Sequence, residues 1–185
     1  MKNFTELKNL AMGNFGLITA AQARELGISR VELSRWVQKD WLEQVSRGVY
    51  RMSEFPPSAL DPFAAATEAV GPDARIVGES VLGMLELTST NPAWIQVGTP
   101  RRIRRRLGKG ISVISVPVDA AVEWYEGVRS QSVYEAIRMS IGKVPPDRLR
   151  EAVANGYAKG YLQRDDSRRL KKEIGHGDTS EYGVS

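Results

Sequence analysis

Apolar positions in the first fifty residues change period twice. Phe4, Leu7, Leu10 and Ala11 recur at helical spacing and the pattern stops at Gly13 and Asn14, which predicts a helix over residues 3–13. Thr19 with Gln22, and Ser29 with Glu32, each place a hydroxyl three residues before a side chain able to reach back, the spacing of a capping box. Two more helices are therefore expected, one ending at Leu26 and one running from Arg30 to Lys39. Between them, Leu26-Gly27-Ile28 offers a glycine that can take positive φ, flanked by apolar residues that can pack inward. Residues 40–45 then read as a strand, Ser46-Arg47-Gly48 as a turn and 49–52 as the returning strand. The order is that of a helix-turn-helix followed by a wing.

The segment Glu54-Phe55-Pro56-Pro57-Ser58 breaks regular structure and reads as a linker. Beyond it, 61–70 and 80–87 look helical, with a short strand at 75–77. Residues 94–98 and 111–116 run like strands, and 122–128 like a third. Three helical stretches follow at about 132–142, 146–158 and 163–174. The expected class is α+β: a winged helix-turn-helix over 1–55, a small mixed α/β domain with a helical end over 59–175, and a small, polar, flexible tail over 176–185.

Charge adds one feature that periodicity does not show. The chain's net charge of +4 is uneven: residues 100–110 hold Arg101, Arg102, Arg104, Arg105, Arg106 and Lys109 and no acid, while the forty residues before them are net negative. Such a block, between two expected strands, makes a local positive potential that suits a polyanion. A solvated loop or a patch for an acidic protein is the competing reading.

The second helix of the turn has a face to match. With Leu33, Trp36 and Val37 turned to the core, Val31, Ser34, Arg35 and Gln38 point the other way, flanked by Arg30 and Lys39. Arg suits guanine, Gln suits adenine, Ser suits either and Val can meet a thymine methyl, so the face has the chemistry of a major-groove reader. Arg47 at the hairpin tip, with Tyr50 and Arg51 behind it, would let the wing reach phosphate or minor groove. The expected contacts are Ser29, Arg30, Val31, Ser34, Arg35, Gln38, Lys39, Arg47 and Arg51, with Arg101, Arg102, Arg104, Arg105 and Arg106 holding phosphates. The same three helices and hairpin also serve as protein-interaction modules, so pattern alone leaves that alternative open.

Other chemistries find little support. The absence of Cys and a single His, His176, remove disulfides, thiolate metal sites and imidazole clusters. Gly78-Glu79-Ser80 and Asp165-Asp166 lack catalytic partners and read as helix starts. Trp94, Trp124 and Tyr125 read as core or sheet-face residues. No enzyme, metal or cofactor site is expected. The mixed-charge N-terminus does not read as a secretory signal and no apolar run would span a bilayer, so a cytoplasmic protein without a membrane partner is expected.

The stretches G16-LITAAQAREL-G27, S29-RVELSRWV and W41-LEQVSRGVY-R51 resemble the N-terminal winged helix-turn-helix of AbiEi-type antitoxins. Leu42 through Gly48-Val49-Tyr50 is the more specific part, and the resemblance extends less sharply through W94-IQVGTPRR and S130-QSVYEAI to the helical end. It implies an antitoxin of an abortive-infection module that represses its own operon on inverted repeats and opposes a nucleotidyltransferase toxin. A monomer or weak dimer would serve. An interaction module that neutralises its partner by contact, without specific DNA binding, is the alternative.

Overall fold

The computed structural model describes residues 2–90 and 93–178. The side chain of His176 and residues 179–185 lie outside the described residues. The N-terminal part runs α1 (Lys2–Met12), β1 (Leu17–Thr19), α2 (Ala20–Glu25), α3 (Arg30–Gln38), β2 (Leu42–Ser46) and β3 (Val49–Met52). Both capping boxes form. The Gln22 N–H donates to Thr19 Oγ1 at 3.2 Å and the Glu32 N–H to Ser29 Oγ at 3.2 Å, while each glutamine or glutamate oxygen accepts the cap's own N–H at 2.8 Å. The turn closes as the glycine requires: Gly27 sits at φ 75, and the Ile28 N–H reaches the Ala23 carbonyl at 2.9 Å. α3 ends the same way, with Asp40 at φ 56 and the Trp41 N–H on the Trp36 carbonyl at 2.9 Å.

The strand β1 has no counterpart in the sequence reading. It is three residues long, too short to show alternation, and it pairs antiparallel with β3 to give the order β1-β3-β2. Gly16 leads into it at φ 72, and a Cβ there would stand 2.6 Å from the Phe55 side chain, so only glycine lets the chain enter the sheet beside that ring.

The two faces of this sheet do different work because side chains alternate. Ile18, Leu42 and Met52 join Leu7, Ala11, Ala23, Ile28 and Leu33 in a core shared with the three helices. Leu17 and Val49, on the other face, are buried in the larger core of the following residues, with Val45 packed against it. The wing is thus docked on both faces.

That larger core belongs to α4 (Asp61–Val70), β4 (Arg75–Ile76), α5 (Glu79–Met84), β5 (Ile95–Thr99), β6 (Ile111–Ser115), β7 (Glu123–Tyr125), β8 (Val128–Ser130), α6 (Val133–Ser140), α7 (Pro146–Ala158) and α8 (Arg164–Asp178). The sheet order is β6-β5-β4-β8-β7. β5–β6 and β4–β8 are parallel, whereas β4–β5 and β7–β8 are antiparallel, so the sheet is mixed and the class is α+β.

Three expectations need correction. The single strand over 122–128 is a hairpin, β7–β8, turned at Glu126 and Gly127, both with positive φ. The helix at 80–87 stops at Met84, because the chain turns at Glu86, φ 51, and sends the Leu87 N–H back to the Leu82 carbonyl. The C-terminal helix continues to Asp178, three residues into the stretch read as a tail. Of the residues read as core or sheet-face, Trp124 is exposed on β7, Trp94 is exposed just before β5, and Tyr125 is half-buried, its ring edge-on to Tyr161 at 5.2 Å.

Candidate nucleic-acid interface

The exposed face of α3 is built by one buried anchor. Leu33 is 1% exposed in the smaller core, a burial that stabilises by about 1.5–3 kcal/mol. With Leu33 fixed inward, Arg30, Val31, Ser34, Arg35, Gln38 and Lys39 are exposed on the rest of the surface. Val31 is 61% exposed, an apolar side chain with no packing reason to sit there. Lys39 has its Nζ 5.2 Å from the centroid of Trp41. Ser29 is occupied locally, its hydroxyl donating to Glu32 Oε2 at 2.8 Å, so the structure uses it first as a helix cap. The Ser29 backbone N–H, then its hydroxyl, hold the Glu32 carboxyl below the usual carboxylate range.

The wing tip is a two-residue turn. Arg47 is exposed and Gly48 takes φ 77, with the Gly48 carbonyl accepting the Ala20 N–H at 2.8 Å and so tying the tip to the start of α2. Arg51 does not extend that tip. Its Nη1 donates to Asp61 Oδ2 at 2.8 Å and its Nη2 to Glu43, and only 14% of its side chain is exposed. The pairing with Glu43 leads in holding the guanidinium charged above its usual range. This corrects the expectation of a DNA contact: Arg51 lies on the sheet face turned to α4, where period-two alternation places it beside Glu43.

The arginine segment lies beside the wing although more than fifty residues separate them. Gly108 is packed against Ser46, the last residue of the edge strand β2, with a Cβ-to-Cβ approach of 3.6 Å for an added methyl. Ile103 and Leu107 pack against the larger core, so alternate parts of the segment are anchored inward. Arg105 is a second correction. Its Nη2 donates to the Ala69 and Val70 carbonyls at 2.6 and 2.7 Å, satisfying the open end of α4 and fixing the loop. Arg101 has its Nε 2.5 Å from Asp73 Oδ2 but remains largely exposed. Arg102, Arg104 and Arg106 are exposed and make no ion pair or hydrogen bond with described residues. The five arginines therefore divide into two anchors, Arg101 and Arg105, and three with no partner among the described residues, a division that composition alone could not show.

No metal-holding group of three or more His, Asp or Glu is present among the described residues. No described helix is long and apolar enough to cross a membrane.

The exposed helix, its docked wing and the capped turn span one continuous stretch of sequence. Residues 6–53 match the family described as "Transcriptional regulator, AbiEi antitoxin". That stretch covers most of α1 and all of β1 through β3, and the match supports a toxin–antitoxin regulator role. The weaker likeness at 94–102 and 130–137 lies outside the matched residues. No curated protein matches the chain. Among solved structures, the chain is similar to the RV2827C protein from Mycobacterium tuberculosis, with 13% identity over 90% of this chain and 79% of that one and a TM-score of 0.47.

Proposed function

We propose that this protein is the antitoxin of a bacterial toxin–antitoxin pair that binds operator DNA, represses its own operon and counters a nucleotidyltransferase-type toxin in an abortive-infection system. The observation that carries the reading is the outer face of α3, where Arg30, Val31, Ser34, Arg35 and Gln38 stand exposed around the buried Leu33 in a segment matched by a regulator family. In this reading α3 lies in the major groove, Arg47 reaches the flanking backbone, and Arg102, Arg104 and Arg106 hold phosphates beyond the wing. Inverted repeats would be read by two copies, each a monomer or part of a weak dimer. The chain acts by binding, without catalysis or a cofactor, in the cytoplasm.

The test is a gel shift of the full chain on the DNA directly upstream of its own gene, against scrambled competitor, at two salt concentrations. A band that survives competitor and weakens with salt supports the reading; no specific band at either salt overturns it. Exposed Trp94, Trp124 and Val118 favour a second reading, an interaction module that neutralises a partner by direct contact without specific DNA binding. That reading expects co-purification with the toxin and negligible duplex affinity.

A further inference from the structure

We propose that the concavity between α1, α3 and the end of β3 is a binding site for a small organic cation with a flat or apolar body. The cavity measures about 560 Å³, inside the range of roughly 300–1,000 Å³ that small-molecule sites occupy. Its wall is aromatic. The Phe4 ring stands edge-on to Trp36 at 5.0 Å and to Trp41 at 5.3 Å, and Met52 closes the floor. Trp41 is 44% exposed, so ring surface remains uncovered toward the cavity's solvent side.

The charge around these rings is negative. Glu32, Asp40 and Glu54 line the cavity with Lys8, whose Nζ is engaged with Glu54 at 2.7 Å, and Lys39 stands over Trp41, so carboxylates exceed cations by one around the rings. Ring faces carry negative potential and draw cations within about 6 Å, and Trp41 already takes the Lys39 ammonium at 5.2 Å. An anion is repelled by this set, and a neutral ligand gains only the apolar contact. Glu32 and Trp36 lie roughly 160 degrees around α3 from Ser34 and Gln38, with Arg35 and Lys39 at the boundary between the two faces and Asp40 just past the helix end. The ligand site does not depend on the chain reading DNA. Where both sites are used, any effect of one ligand on the other is reciprocal.

Three isosteric probes test the charge selectivity on the full chain: benzamidine, benzamide and benzoate, followed by NMR of the tryptophan indole N–H groups. Benzamidine is expected to shift the Trp36 and Trp41 signals saturably, about tenfold more tightly than benzamide, with benzoate giving no saturation. Asp40→Asn keeps a side chain suited to the left-handed φ of that residue and is expected to weaken benzamidine several-fold with the far-UV spectrum unchanged. The proposal is overturned by equal affinity for benzamidine and benzamide, by equal shifts at Trp94 and Trp124, by no saturable shift, or by unchanged affinity in Asp40→Asn.

Discussion

Arg51 and Asp61 meet at 2.8 Å with each side chain 14% exposed, and this contact joins the wing to α4, the first helix after it. A partly buried, charge-assisted pair of this kind leaves an uncompensated carboxylate when the arginine is removed. Arg51→Ala is expected to lower unfolding stability by roughly 2 kcal/mol, less than a fully buried pair because some solvent reaches it. Urea unfolding checks this, and operator affinity measured on the folded fraction should change little. Unchanged stability with a salt-dependent loss of DNA binding would return Arg51 to the interface.

Arg35 stands on the opposite footing, exposed on α3 with no side-chain hydrogen bond or ion pair among the described residues. Arg35→Ala is expected to weaken operator binding by about 1–3 kcal/mol and to leave scrambled DNA nearly unaffected, because a bidentate base contact discriminates sequence. Fluorescence anisotropy on both duplexes separates the outcomes: an equal loss on each would make it a phosphate contact.

Arg102, Arg104 and Arg106 differ from Arg101 and Arg105 in having no hydrogen bond or ion pair among the described residues. Replacing all three by Gln should leave thermal stability unchanged and flatten the salt dependence of binding, by about 0.9 in log-log slope for each that meets a phosphate on duplex DNA. An unchanged slope would direct the patch to an acidic protein.

Arg105 should behave in reverse. Arg105→Ala removes two charged hydrogen bonds from the last carbonyls of α4, and a loss of about 1–3 kcal/mol in unfolding stability is expected. A melt as stable as the unmodified chain would mean that the carbonyls find water without penalty.

Glu32 gives α3 an acid-sensitive start. Its carboxyl titrates below the usual 4.5, chiefly because the Ser29 N–H, and next its hydroxyl, donate to the charged form. A pKa depressed by folding contributes stability that is complete above the unfolded value and lost as pH falls through the folded one. Helix content should therefore decline as pH falls below the usual 4.5 and through the lowered folded-state value, and Glu32→Gln should flatten that part of the profile in circular dichroism. The same acid slope in both proteins would assign it to other carboxylates.

Local chemistry made the helix-turn-helix legible. Capping boxes at Thr19 and Ser29 and the glycine at 27 act between residues three to five apart, so their spacing alone determined where α2 and α3 start and where the turn falls. The same holds for Leu33, whose inward position orients the outer face of α3. β1 was hidden because its pairing partner, Leu17 with Arg51, lies thirty-four positions away and three residues carry no period.

The fate of each arginine was a tertiary matter. Arg51, Arg102 and Arg105 look alike in sequence, yet one is paired with Asp61, one has no partner among the described residues and one closes α4. A guanidinium reaches whatever carboxylate or carbonyl the packed backbone brings within about 3 Å, and it is the docking of the wing sheet on α4, with Leu17 and Val49 buried in the second core, that brings them there. Sequence determined α3 and the β2–β3 hairpin; only packing decided which cations remain exposed.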